Sequence, residues 1–66
     1  MRILLVEDQA DLVRHIERAL KQGSHFVEVS RDGPSAVEAA VAGLFDLILL
    51  DVNLPGFDGF EVLKRI

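Results

Sequence analysis

The chain has 66 residues, with seven Lys plus Arg against eleven Asp plus Glu, a net charge of −4 and no cysteine. That length allows one small domain, which is marginal unless its surfaces are covered. The acidic balance argues against nucleic-acid binding through this segment's own surface. Without cysteine there is neither a disulfide nor a thiolate–zinc staple, which fits a cytoplasmic location. The longest apolar runs are too short to span a bilayer.

Met1 leads directly into an aliphatic run, so no signal peptide is expected. The run predicts a first strand over Arg2 to Val6. A helix should follow, with Asp8 or Gln9 near its cap and Asp11 in its first turn. Leu12, Val13, Ile16, Ala19 and Leu20 form its apolar stripe, Glu17 and Lys21 form an i,i+4 pair, and Gly23 stops it. A second strand is expected over Phe26 to Ser30, with Val27 and Val29 on one face. Asp32-Gly33-Pro34 then opens a second helix, with Val37, Ala40, Val41 and Leu44 inward and Gly43 at its end. The third strand is Leu47 to Leu50, and the loop from Asp51 to Asp58 turns at Pro55-Gly56. Gly59 opens a third helix, capped by Asp58, with Leu63 and Ile66 inward. The four phenylalanines read as packing residues, and neither His15 nor His25 has a partner motif.

The order β-α-β-α-β-α gives a parallel sheet with right-handed crossovers and helices on its faces. The last helix stops in mid-pattern at Ile66, which leads us to expect that the natural protein is longer.

Parallel strands bring Glu7, Asp8 and Asp51 to one carboxyl-terminal edge, where open α/β sheets bind ligands. Three carboxylates so close repel one another unless a cation or a proton is shared. With only oxygen donors the expected cation is hard and divalent, and magnesium is the natural candidate.

Three segments carry a family resemblance: Met1-Arg2-Ile3-Leu4-Leu5-Val6-Glu7-Asp8, Asp32-Gly33, and the run from Asp46 through Asp51-Val52-Asn53-Leu54-Pro55-Gly56 to Gly59. Together they resemble the receiver domain of two-component response regulators. The resemblance implies a flavodoxin-like fold, of which residues 1–66 would be a partial receiver domain, its first three βα units, with strand order 2-1-3. It implies that Asp51 accepts a phosphoryl group from a histidine kinase. Mg²⁺ would be held by Asp8, Asp51 and the Asn53 backbone carbonyl, with Glu7 acting through water. A domain of this kind is a phosphoacceptor, not an enzyme with a separate substrate. The opening segment and Leu54-Pro55-Gly56 resemble receivers that precede a winged-helix DNA-binding domain. The hydroxyl and lysine that bind the phosphoryl group in complete receivers follow the fourth and fifth strands, which these 66 residues do not include. The segment by itself would therefore be impaired in phosphorylation.

A haloacid-dehalogenase-type phosphatase also places a nucleophilic Asp after an apolar strand. It needs an acidic residue two positions on, where this chain has Asn53. A non-catalytic half-domain that self-assembles is the other alternative. In either case the third strand should present an unpaired edge, and a homo-oligomer through that edge is expected.

Overall fold

A computed structural model describes residues 1–51 and 59–66. Its elements are β1 (Arg2–Val6), α1 (Ala10–Gln22), β2 (Phe26–Ser30), α2 (Gly33–Ala42), β3 (Leu47–Leu50) and α3 (Gly59–Arg65). The three strands form one parallel sheet in the order β2-β1-β3. The resemblance anticipated that order, and the residue pattern anticipated all six elements.

β1 lies at the centre because its four aliphatic residues are covered on both faces. Ile3, Leu4, Leu5 and Val6 are each at most 2% exposed. Full burial of such a side chain stabilises by about 1.5–3 kcal/mol. Leu4 and Val6 join Ala36 of α2 and Val62 of α3 in one core, with Val37, Ala39, Ala40, Phe45, Ile48 and Leu50 packed against it. Leu5 and its register partner Leu49 point to the opposite face, where they line a groove together with Ile16 of α1. Successive right-handed crossovers run in opposite directions from β1 and β2, which puts α1 and α2 on opposite faces.

Helix contacts are narrower than the sequence stripes. On α1 the inward residues are Val13, Ile16 and Leu20, while Leu12 and Ala19 are exposed. α1 lies against β2, leaving the β3 side of that face as an open groove beside Ile16. On α2 the small residues Gly33 and Ala36 are buried, with Val37 and Ala40 beside them. Val41 and Leu44 are exposed, contrary to the expected stripe. The helix ends at Ala42 and Gly43 is extended, so Leu44 no longer follows the helical period. α3 turns Gly59 and Val62 inward, and Leu63 and Ile66 face solvent instead of the core. Phe45 packs, but Phe26 and Phe60 are more than half exposed and are not core residues.

The cap of α1 differs from expectation in one respect. Gly23 is its C-cap at an ordinary φ of −84°, and the left-handed position falls on Ser24, with φ of 65°. Ser24 N–H donates to the Lys21 carbonyl and His25 N–H to the Leu20 carbonyl, the paired bonds of a Schellman turn. α2 starts as read: the Asp32 side chain accepts the Ser35 N–H at 2.8 Å. At the amino-terminal edge Arg2 N–H donates to the Asp46 carboxylate and Asp46 N–H to the Arg2 carbonyl. The Arg2 guanidinium lies 4.8 Å from the centre of the Phe26 ring. The Glu17–Lys21 pair is present at 3.0 Å.

Candidate metal and phosphoacceptor site

The carboxyl-terminal edge of the sheet is held in register beyond the strands themselves. Glu7 N–H donates to the Ser30 carbonyl at 3.0 Å, and Asp51 N–H donates to the Val6 carbonyl at 2.9 Å. The β1–β2 and β1–β3 ladders thus each run one rung further, and they fix where the acidic side chains emerge. Glu7, Asp8 and Asp51 each offer one carboxylate oxygen, all within 4.8 Å of one another. Sequence reasoning placed these three residues together, and the structure does so.

Their environments differ. Glu7 is 7% exposed, whereas Asp8 and Asp51 are half-buried. Burial pushes the Glu7 carboxyl above the usual glutamate value. A hydrogen bond from the Gln9 N–H, at 3.2 Å, pulls it back. The nearby charges of Asp51 and Asp8, and a side-chain hydrogen bond with Asp51, push it up again. Such a site favours either a shared proton or a cation.

The donor set is all oxygen. His15 is exposed on α1, and His25 lies beside the start of β2 at the other end of the sheet. Hard oxygen donors without sulfur or imidazole suit Mg²⁺, Mn²⁺ or Ca²⁺ better than zinc or copper. The residues present therefore fit a hard divalent ion. Asn53, the expected carbonyl donor, and Asp58, the expected cap of α3, lie outside the described residues, as do Pro55, Gly56 and Phe57.

One neighbour was not singled out from sequence. Arg31, in the connection from β2 to α2, donates from Nη2 to the Asp8 backbone carbonyl at 2.9 Å. The available signal was topological: β2 ends at Ser30, on the same sheet edge as the acids.

A model of the response regulator receiver domain family matches residues 3–66. The transcriptional regulatory protein TcrA of Mycobacterium tuberculosis is 46% identical over 66 residues, covering 100% of this chain and 26% of TcrA. The response regulator TrrA of Thermotoga maritima, solved in complex with Mg²⁺-BeF, superposes with a TM-score of 0.93 at 29% identity, over 98% of this chain and 56% of that one. TrrA solved in complex with the histidine kinase ThkA gives 0.89 at 28% identity, over 97% and 55%. The receiver domain of a sensor histidine kinase from Pseudomonas aeruginosa PAO1, with a magnesium ion in its active-site cleft, gives 0.94 at 36% identity, over 97% and 52%. The chain thus spans about a quarter of TcrA and about half of these solved chains. With the β2-β1-β3 sheet and the three acids at its carboxyl-terminal edge, this match shows that the chain belongs to the response regulator receiver domain family.

Proposed function

We propose that this chain is the phosphoaccepting portion of a two-component response regulator, with Asp51 as the acceptor. The observation that carries the reading is the meeting of Glu7, Asp8 and Asp51 oxygens within 4.8 Å at the ligand-binding edge of a parallel sheet. An Asp51 carboxylate oxygen attacks the phosphorus of a kinase phosphohistidine. The O–P bond forms as the P–N bond breaks, and the imidazole leaves after taking a proton. A carboxylate is a weak nucleophile toward an anionic phosphoryl group, so positioning and charge neutralisation must do most of the work. Mg²⁺, when bound, would neutralise charge on the transferring oxygens. Asp8 and Asp51 would hold it directly, the Asn53 carbonyl would complete the protein's share, and Glu7 would act through water. Magnesium in the two related receivers supports this assignment, and the ThkA–TrrA complex supports a histidine kinase as donor.

In this reading residues 1–66 are the first three βα units of a longer receiver in a cytoplasmic regulator. Its output is transcriptional, as the likeness to TcrA suggests, and it is a phosphoacceptor with no separate substrate to turn over. The deciding experiment is mass spectrometry of the full-length protein after exposure to acetyl phosphate or to its kinase. A single phosphoryl group on Asp51, lost in Asp51→Asn, is expected. Undiminished labelling of that variant would overturn the assignment.

The 66-residue chain itself is proposed to form a homo-oligomer through β3. That strand is an edge of the sheet, and its Leu47 is 42% exposed.

A further inference from the structure

A phosphoryl donor is an anion, and here it must approach three carboxylates. Most basic side chains of this chain are committed elsewhere. Arg14, Lys21 and Arg65 pair with Asp11, Glu17 and Glu61 on their own helices. Arg2 binds the Leu44 carbonyl at the opposite edge of the sheet. Arg31 stands at the acid edge, exposed, with Nη2 on the carbonyl of Asp8.

That single bond fixes the guanidinium beside the cluster without consuming it. A guanidinium carries five N–H donors in two forks that share one nitrogen. Use of one Nη2 hydrogen leaves a complete fork, and Arg31 has no other partner among the described residues. A planar two-pronged donor matches phosphoryl oxygens, and its anchor on the Asp8 backbone puts it at the same sheet edge as the acids that repel them.

Resting on the phosphoacceptor reading, we propose that Arg31 is the anion-receiving residue of the site: anchored on Asp8, it binds the incoming phosphoryl donor through its free fork. Its charge also works against the cation. Loss of Arg31 should therefore weaken donor capture while leaving metal binding intact or slightly tighter. A residue that merely held Asp8 in place would do the reverse and weaken the metal.

The test compares wild type, Arg31→Ala and Arg31→Lys in the full-length protein, with acetyl phosphate as donor. For Arg31→Ala we expect the acetyl phosphate concentration that gives half the maximal phosphorylation rate to rise about three- to tenfold with the maximal rate little changed, the size of effect ordinary for one exposed charge. The salt dependence of the phosphorylation rate at low donor concentration should flatten. The Mg²⁺ titration midpoint, read separately by NMR shifts at Glu7 and Asp51, should not weaken. Arg31→Lys, which keeps the charge and loses the fork, should fall between. An unchanged half-saturating donor concentration in Arg31→Ala, or a rise matched by an equal loss of Mg²⁺ affinity, would overturn the inference. Labelling that survives Asp51→Asn would instead overturn the phosphoacceptor reading itself.

Discussion

Glu7 and Asp51 bring carboxylate oxygens within 4.8 Å of each other across the ends of β1 and β3. Neighbouring rungs of two ladders put them there, because Glu7 follows Val6 and Asp51 follows its register partner Leu50. Glu7 is the most buried member of the acid cluster, so its protonation is tied to folding. Glu7 in the folded chain titrates above its unfolded value of 4.5. Between those two values the folded state holds a proton that the unfolded state has lost. The resulting stabilisation is fully present below pH 4.5 and is lost as pH rises through the folded value. Urea midpoints of the metal-free chain should therefore contain a component that falls with rising pH in this window. Glu7→Gln should lack that component and be the more stable of the two at neutral pH. A variant that keeps the same pH profile as wild type would contradict this.

Adding Mg²⁺ at neutral pH should reverse the penalty. A ligand that binds only the folded state at a hundred times its Kd stabilises by about 2.7 kcal/mol. Thermal melts in magnesium should shift upward, and an equal ionic strength of NaCl should not reproduce the shift. Asp8→Asn and Asp51→Asn should each abolish most of it, while Arg14→Ala, at an exposed ion pair on α1, should leave it unchanged. Equal shifts in all three variants would place the ion elsewhere.

What could be read from the sequence divides along physical lines. The strands were legible because β1 and β3 are unbroken aliphatic runs, and the acids were legible because each follows such a run. Helix faces were only partly legible. Periodicity marks every apolar residue on a stripe, but burial depends on how wide the covering surface is. Leu12, Leu63 and Ile66 are on the expected stripes and still face solvent, since α1 and α3 each meet a narrow surface. Phe26 escaped its packing role because its ring serves the Arg2 guanidinium at a sheet edge. Arg31 was invisible for a different reason: nothing in its own neighbourhood signals a bond to a residue 23 positions earlier.

Ser24 carries the left-handed conformation that a glycine would adopt freely, while Gly23 sits one residue too early. A left-handed non-glycine residue costs roughly 1–2 kcal/mol, and the extra chain entropy of glycine takes back about 0.5–1 kcal/mol. Ser24→Gly should therefore stabilise the chain by about 0.5 kcal/mol, measured as a higher urea midpoint with an unchanged slope. A lower midpoint would show that the Ser24 side chain contributes more than its backbone costs.

Gly43 is needed for space. A Cβ there would stand 2.6 Å from Cε2 of Phe45, a ring packed against the core. Its φ of −102° is open to any residue, so the whole effect is steric. Overpacking of this kind costs about 1–3 kcal/mol. Gly43→Ala should lower the melting temperature, and the double variant Gly43→Ala/Phe45→Leu should lose less than the two single changes added together. Strict additivity would mean that the two side chains do not meet.

The last prediction concerns the outer edge of β3. In the order β2-β1-β3, its outward N–H and C=O groups have no strand partner among the described residues. The exposed Leu47 lies along it, and a groove lined by Leu5, Ile16 and Leu49, with Glu7 and Asp51 also in its lining, opens beside it. An edge that is both apolar and unpaired favours strand addition, and two copies satisfy it most simply about a two-fold axis. Sedimentation equilibrium of the 66-residue chain should show a concentration-dependent dimer or larger closed assembly. Leu49→Lys, which sets a charge in the groove, should shift it toward monomer. Acid-site variants such as Asp8→Asn should not, since Asp8 lies at the sheet's carboxyl end and not along the edge. A cooperatively folded monomer at high micromolar concentration would show that the edge is not used in this way.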